Sequence, residues 1–171
     1  MGNYDDKIRE RGLDLSHVLT ASFLSGFGEV GALNQAVVNN MMRKLADRAV
    51  AWFRVHERGP DLTAEDGMVE RVRKVFSLLN EHLQLVGDFR VEADGDGGDV
   101  LVSVGSGTCR ICPIGVGEAA IHGTACPFPA LLQHLVNLYA PDGKKIRIKV
   151  ADRSMLVKDG VRCWFRFEEV S

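Results

Sequence analysis

The hydrophobic period of this chain changes from helical to alternating near Gly87, and that change limits the folds open to it. Before Gly87 the apolar residues recur every three or four positions. From Asn34 onward Val38, Met41, Met42, Leu45, Ala49, Trp52 and Phe53 fall on one side of a long helix, which should stop near Gly59-Pro60. Thr63 is a candidate N-cap for the next helix, with Glu65 and Asp66 in its first turn and Met68, Val72, Val75, Phe76, Leu79 and Leu83 on its buried side. The stretch from Leu13 to Leu24 reads as helix or strand, and the glycines at 26, 28 and 31 should separate it from the long helix.

After Gly87 the pattern alternates. Phe89, Val91 and Ala93, then the turn-forming run Asp94 to Asp99, then Val100, Val102 and Val104 predict a hairpin. A cysteine-containing loop spans Gly105 to Cys126. Pro129 suits the first turn of a further helix carrying Leu131, Leu132, Leu135, Leu138 and Tyr139, and Pro141-Asp-Gly143 ends it. Ile146, Ile148 and Val150 predict another strand. Asp159-Gly160 predicts a turn, and Val161, Cys163, Phe165 and Phe167 share one side of a last strand. The expectation is one α+β domain over residues 1–171, with a helical half over about 1–84 and a strand-rich, cysteine-containing half over about 85–171. The N-terminal helices should pack on an antiparallel sheet of about four strands with one inserted helix.

Four cysteines carry the chemical signal: Cys109 and Cys112 as C-x-x-C, Cys126 a loop later, and Cys163 on the last strand. Two thiolates at C-x-x-C spacing can grip one ion or each other, and a third and fourth sulfur would complete a tetrahedral site. Zinc is the first metal to consider and an iron–sulfur cluster the second. A dithiol redox pair is the alternative use of the same spacing. For Cys163 alone, on a core-facing strand position, a small buried hydrophobe is the plainer reading. His122 could replace Cys163 as fourth ligand, or be a solvated loop residue.

Other patterns are weaker. Gly26-Phe-Gly28-Glu-Val-Gly31 matches the glycine spacing of a dinucleotide turn, but the strand before it is poor and one long helix comes after it, so the βαβ unit does not assemble. The Asp94, Asp96 and Asp99 run lacks the terminal Glu and flanking helices of a calcium loop. Ser103, Ser106 and Thr108 flank the cysteine loop with His122 and His134 downstream, without triad spacing. The formal net charge is −2, and Lys and Arg are scattered, so nucleic acid is not the expected partner. No stretch has the roughly 18–20 apolar residues that span a bilayer, the first ten residues are polar, and a cytoplasmic protein is the expectation.

From about Val100 to Val170 the chain resembles the 4-vinyl reductase domains and the related methanogen output domains. The pieces that carry the likeness are the strand before the loop, Cys109…Cys112-Pro113, Cys126-Pro127 opening a helix, and the closing Asp159-Gly-Val-Arg-Cys163-Trp-Phe-Arg-Phe167. The resemblance implies a small-molecule-binding or sensory domain, often homodimeric, with an apolar pocket between helices and sheet and a zinc ion held by cysteines beside it. Carried over by position, Cys109, Cys112, Cys126 and Cys163 would be the ligands, with Glu118 as a substitute, since sensor members commonly include an acidic ligand. Such sensors usually carry an output domain, so the resemblance leaves two expectations, a protein partner for signal output or a module that acts alone. The residues themselves support binding or sensing better than a specific reaction. A thiol-dependent enzyme, by dithiol redox or cysteine-nucleophile hydrolysis, and an iron–sulfur redox or gas sensor stand as alternatives.

Overall fold

A computed structural model describes residues 4–95, 98–119, 125–150 and 155–170. The first half is helical: α1 (Tyr4–Arg11), α2 (Leu15–Glu29), α3 (Gln35–Val55) and α4 (Met68–Leu83). Then come β1 (Phe89–Asp94), β2 (Asp99–Gly105), α5 (Phe128–Tyr139), β3 (Lys145–Lys149), β4 (Val157–Lys158) and β5 (Arg162–Val170). The α+β architecture expected from the period change is what forms. Among the described residues no helix is long and apolar enough to cross a membrane.

The segment that reads as helix or strand is α2. Asp14 caps it by accepting from the His17 backbone N–H at 3.0 Å, while the His17 ring takes the Asp14 N–H at 3.1 Å, a reciprocal capping box. The other ring nitrogen of His17 meets Leu83 O at 2.8 Å, so this buried histidine ties α2 to the end of α4. Gly26 and Gly28 lie inside α2 rather than breaking it, and only Gly31, at φ +70°, turns the chain. The Gly26–Gly31 pattern is thus a helix end and not the strand-to-helix turn a dinucleotide needs.

Asn34 caps α3, with Val37 N–H on its side-chain oxygen at 3.0 Å. Helix α4 starts later than Thr63 predicts, because the Asp66 carboxylate takes the Thr63 N–H at 2.8 Å and the Lys74 ammonium at 3.0 Å. Those bonds close a turn over 63–66, and the helix begins after Gly67.

The sheet is antiparallel, in the order β1-β2-β5-β3. The two-residue β4, absent from the sequence expectation, pairs with the start of β5 along the same edge that β3 occupies further on. Residues 151–154 between them, and Asp96 and Gly97 of the aspartate-rich turn, lie outside the described residues.

Partners across antiparallel strands point to the same side. The inner rows are therefore Val91, Val102 and Phe165; Val100, Phe167 and Ile148; and Phe89, Val104, Cys163 and Lys158. Helix α4 covers β1, α5 covers β3 and β5, and α3 lies over α5. Phe76 stacks on Phe89 with ring centres 4.2 Å apart and reaches Phe128 at 5.6 Å, which joins the helical layer to the row that ends at Cys163. Phe76 and Phe128, both fully buried, each contribute on the order of 2–3 kcal/mol of transfer free energy. Trp164 lies on the outer side of β5, opposite Ser103, with its indole N–H on Asp159 at 2.7 Å. Val161 and Leu138, expected to be inward, are exposed.

Helix α2 sends Leu24 into the main core, and α1 and α2 also build a second, separate cluster. It consists of Leu13, Ala21 and Val116, joined by Ile8, Val18 and Cys112. The N-terminal helices therefore rest on the cysteine loop.

Candidate functional site

The cysteine loop leaves β2 at Gly105, where a Cβ would run into the Asp88 carboxylate and stand 2.7 Å from Thr108 Oγ1, so a larger residue would have to displace the Thr108–Asp88 pair. The amides of Thr108 and Cys109 return to Gly105 O. The chain then pairs with the segment leading into β1: Gly87 N–H donates to Thr108 O and Arg110 N–H to Leu85 O, with Cys109 opposite Val86. Cys109 is held by backbone on both sides and is buried. After Ile111, the amides of Val116 and Gly117 donate to Cys112 O, and Gly115 N–H donates to Cys112 Sγ at 3.1 Å. The loop curls over its own sulfur.

Gly117 allows this curl to pass under α2. A Cβ there would lie 2.5 Å from Ala21 O, 2.8 Å from Pro113 O and 2.9 Å from Ser25 Cβ. From α1, Arg11 donates through Nη1 to Cys109 O at 2.7 Å, and Arg110 Nε donates back to Arg11 O at 2.8 Å. The two arginines sew the first helix to the loop.

All four cysteines line one cavity of about 250 Å³. Cys109 and Cys112 come from the loop, Cys126 from just ahead of α5, and Cys163 from the inner side of β5. Val104, Pro113, Ile114, Ala125, Phe128 and Leu156 supply apolar wall. Arg11 and Lys158 supply positive charge, and no carboxylate is among the described residues that line it. Lys158 faces inward because it is the cross-strand partner of Cys163.

The sulfurs differ in acidity. Cys112 is lowered to about 6, first by the adjacent Cys109 thiol, then by the Gly115 and Ile114 amides and the Lys158 charge, against the opposing effect of burial. Cys109 is pushed well up, by its interaction with Cys112 and then by burial. Burial pushes Cys126 up, and the charge of Cys112 and Cys163 adds to it. Burial also raises Cys163, with Lys158 opposing. The arrangement favours one thiolate, on Cys112, among three protonated neighbours.

The residues named from sequence divide clearly. The four cysteines converge on one cavity, yet among the described residues no three thiol, imidazole or carboxylate groups stand close enough to share an ion as placed. His122 lies outside the described residues. Glu118 is not part of the cavity wall, and its carboxylate is 2.5 Å from the Lys7 ammonium, with its backbone at φ +57°. Ser103 is buried and accepts from Arg162 Nε, Ser106 donates to Gly160 O, and Thr108 donates to the Asp88 carboxylate, so these hydroxyls make structural bonds. Asp94 and Asp99 pair with Arg166 and Lys149. Sequence reasoning missed Arg11 and Lys158. The second comes within reach only if β4 is placed opposite Cys163.

As chemistry, four thiols on one cavity, with the Gly115 N–H on Cys112 Sγ, are donors of the kind a thiophilic metal takes, and a shared ion would require the sulfurs to draw together. The set suits zinc or an iron–sulfur cluster equally, since both take four thiolates.

A protein of Methanocaldococcus jannaschii, Uncharacterized protein MJ1342, is similar to this chain: 25% identical over 96 residues, which cover 56% of this chain and 78% of that protein. Residues 31–169, which include α3 to α5, β1 to β4, all but the last residue of β5 and all four cysteines, match the sequence model of the MJ0207 family, and the chain belongs to that family.

Proposed function

We propose that this chain is a thiolate-based, metal-binding module that takes a compact, largely apolar ligand and acts in sensing or regulation. The observation that carries the reading is the convergence of Cys109, Cys112, Cys126 and Cys163, from three separate parts of the fold, on one apolar cavity. Packing alone does not require a thiol at each of those places. The likeness to 4-vinyl reductase and methanogen output domains points the same way. At about 250 Å³ the cavity lies below the usual range of about 300–1,000 Å³ for ligand pockets, so the ligand should be small.

Cys109, Cys112, Cys126 and Cys163 would hold the metal. Bound there, zinc would supply a fixed cross-link between loop, helix and sheet, and its binding free energy would add to folding. The chain's own residues do the rest: Arg11 holds the Cys109 carbonyl, the Gly115 amide orients the Cys112 sulfur, and Lys158 offsets thiolate charge.

Elemental analysis of protein purified without oxygen or a metal-affinity tag, read beside its visible spectrum, tests this. One zinc per chain without colour, or iron with sulfide and a brown absorbance, supports the reading and chooses the metal. Cys112→Ser should then lose metal and melt earlier; unchanged metal content and melting would refute it.

One feature favours a second reading. Cys112 ionises near 6 beside a protonated Cys109, which is the asymmetry of a reactive dithiol. Metal-free protein whose Cys112 is alkylated rapidly and stoichiometrically would move the assignment to thiol chemistry.

A further inference from the structure

Helix α2 has two sides of different character. Its inner side, with His17, Ala21, Leu24 and Ser25, is buried against α4 and the cysteine loop. Its outer side carries Leu15, Leu19, Phe23, Phe27 and Val30, which are 71, 49, 68, 43 and 76% exposed. At about 100° per residue, those five side chains fall within roughly 120° of arc, a continuous stripe along the whole helix. Together they expose on the order of 600 Å², the upper end of the apolar patch a monomer tolerates.

The charge pattern tells what covers the stripe. From Leu15 to Met42 the only Asp, Glu, Lys or Arg is Glu29, at the rim of the stripe. On α3 the exposed Leu45, Trp52 and Val55 are interleaved with Arg43, Lys44, Asp47, Arg48 and Arg54, as a solvated surface should be. A two-fold axis brings each residue near its own kind, so a charged surface repels itself there while an uncharged one does not. Gly26 within the arc and the small Ser22 at its edge let two helix backbones approach closely. The area of the stripe matches the lower end, about 600 Å² per partner, of the range for specific interfaces.

We infer that the outer side of α2 is the contact surface of a two-fold homodimer, in which α2 packs antiparallel on α2 of a second copy with Phe23 near the axis. The surface lies outside residues 31–169, the part matched by the family, and so adds to the cavity domain rather than forming part of it. The same helix packs on the cysteine loop at Gly117 through Ala21 and Ser25, so the dimer contact and the loop contact are two sides of one element.

Light scattering and sedimentation of the full chain at micromolar concentration test this. The expected mass is twice the chain mass of 18.8 kDa. Phe23→Glu should return it to one chain mass with an unchanged far-UV spectrum, since Phe23 makes little use of its own protomer. Leu19→Arg, made in parallel, should do the same and covers a folding failure of the first. An equimolar mixture of Phe23→Glu and Phe23→Lys should recover the double mass, because the two charges then meet at the axis. A monomeric wild type, including one that dimerises only with a foreign partner, overturns the inference. So does a Phe23→Glu variant that stays dimeric, or a mixture of the two charge variants that stays monomeric.

Discussion

Gly117 is the position where the link between α2 and the cysteine loop can be tested most sharply. Its backbone φ is not in the left-handed region, so alanine is conformationally acceptable there and the substitution asks only about space. A Cβ would stand 2.5 Å from Ala21 O and 2.8 Å from Pro113 O, with Ser25 Cβ at 2.9 Å. Ordinary carbon–oxygen contact is roughly 3.3 Å or more, so α2 and the loop must separate by about 0.8 Å at Ala21 O, and the loop must open on itself by about 0.5 Å at Pro113 O. Two of the three obstacles are backbone, which cannot rotate away. The cost should fall toward the upper end of the overpacking range, about 2–3 kcal/mol. For a chain of this length that lowers the melting temperature by roughly 5–10 °C. Urea unfolding of Gly117→Ala beside wild type measures it, with Gly59→Ala as control. Gly59 meets nothing within 4 Å and lies outside the left-handed region, so its replacement should gain about 0.4–1 kcal/mol by restricting the unfolded chain. A loss below about 0.5 kcal/mol for Gly117→Ala would show that α2 does not press on the loop, and the packing argument would fail.

The charges set further outcomes. In metal-free, reduced protein, iodoacetamide should label Cys112 first, with a rate midpoint near pH 6; a midpoint near 9 would refute the local stabilisation of its thiolate. Because the folded value lies below the unfolded one, the Cys112 contribution to stability is full above about 9 and is lost as pH falls through 6. Lys158→Gln should move that labelling midpoint upward, since it removes the cation opposite Cys163, and an unmoved midpoint would show that Lys158 does not face the cavity. Asp142, held at about 2 by the two-pronged Arg71 guanidinium, contributes stability above the ordinary carboxylate value that disappears as pH falls from about 4 toward 2. Asp142→Asn should flatten that acid phase in melting curves; an identical acid phase in both proteins would assign it elsewhere.

The fold is legible in the sequence wherever a single period dominates. Val38 to Phe53 marks α3, Val72 to Leu79 marks α4, and the alternation of Phe89, Val91 and Val100 to Val104 marks the hairpin, because burial on one side writes itself into the spacing. It is not legible where two demands overlap on one element. Helix α2 is apolar on both sides, so neither period stands out, and its strand-like look comes from the outward Leu15, Leu19 and Phe23. Strand β4 is two residues long, held by register against β5, and leaves no pattern of its own. Helix α4 starts late because one carboxylate, Asp66, finds a nearer amide than the helix could offer. In the site, the cysteine spacing announces the donors. The cations cannot be read, since Arg11 reaches the loop across 98 residues of sequence and Lys158 depends on β4.

Those two cations give the cavity its direction. Burying thiols needs no charge nearby, and a pocket meant only for an apolar ligand would be poorer for holding a guanidinium and an ammonium. Two positive groups and no lining carboxylate among the described residues make sense beside sulfurs that are to lose protons. The arrangement ionises one sulfur on its own, at Cys112, while Cys109, Cys126 and Cys163 stay protonated against mutual repulsion. A metal ion would remove that repulsion and release the remaining protons, as thiolate sites do. A dithiol would instead use the asymmetry as it stands. Proton release on adding zinc to the reduced protein therefore separates the two uses: about three protons per zinc near neutral pH mark a site that fills with metal, and none marks a cysteine pair kept for its own chemistry.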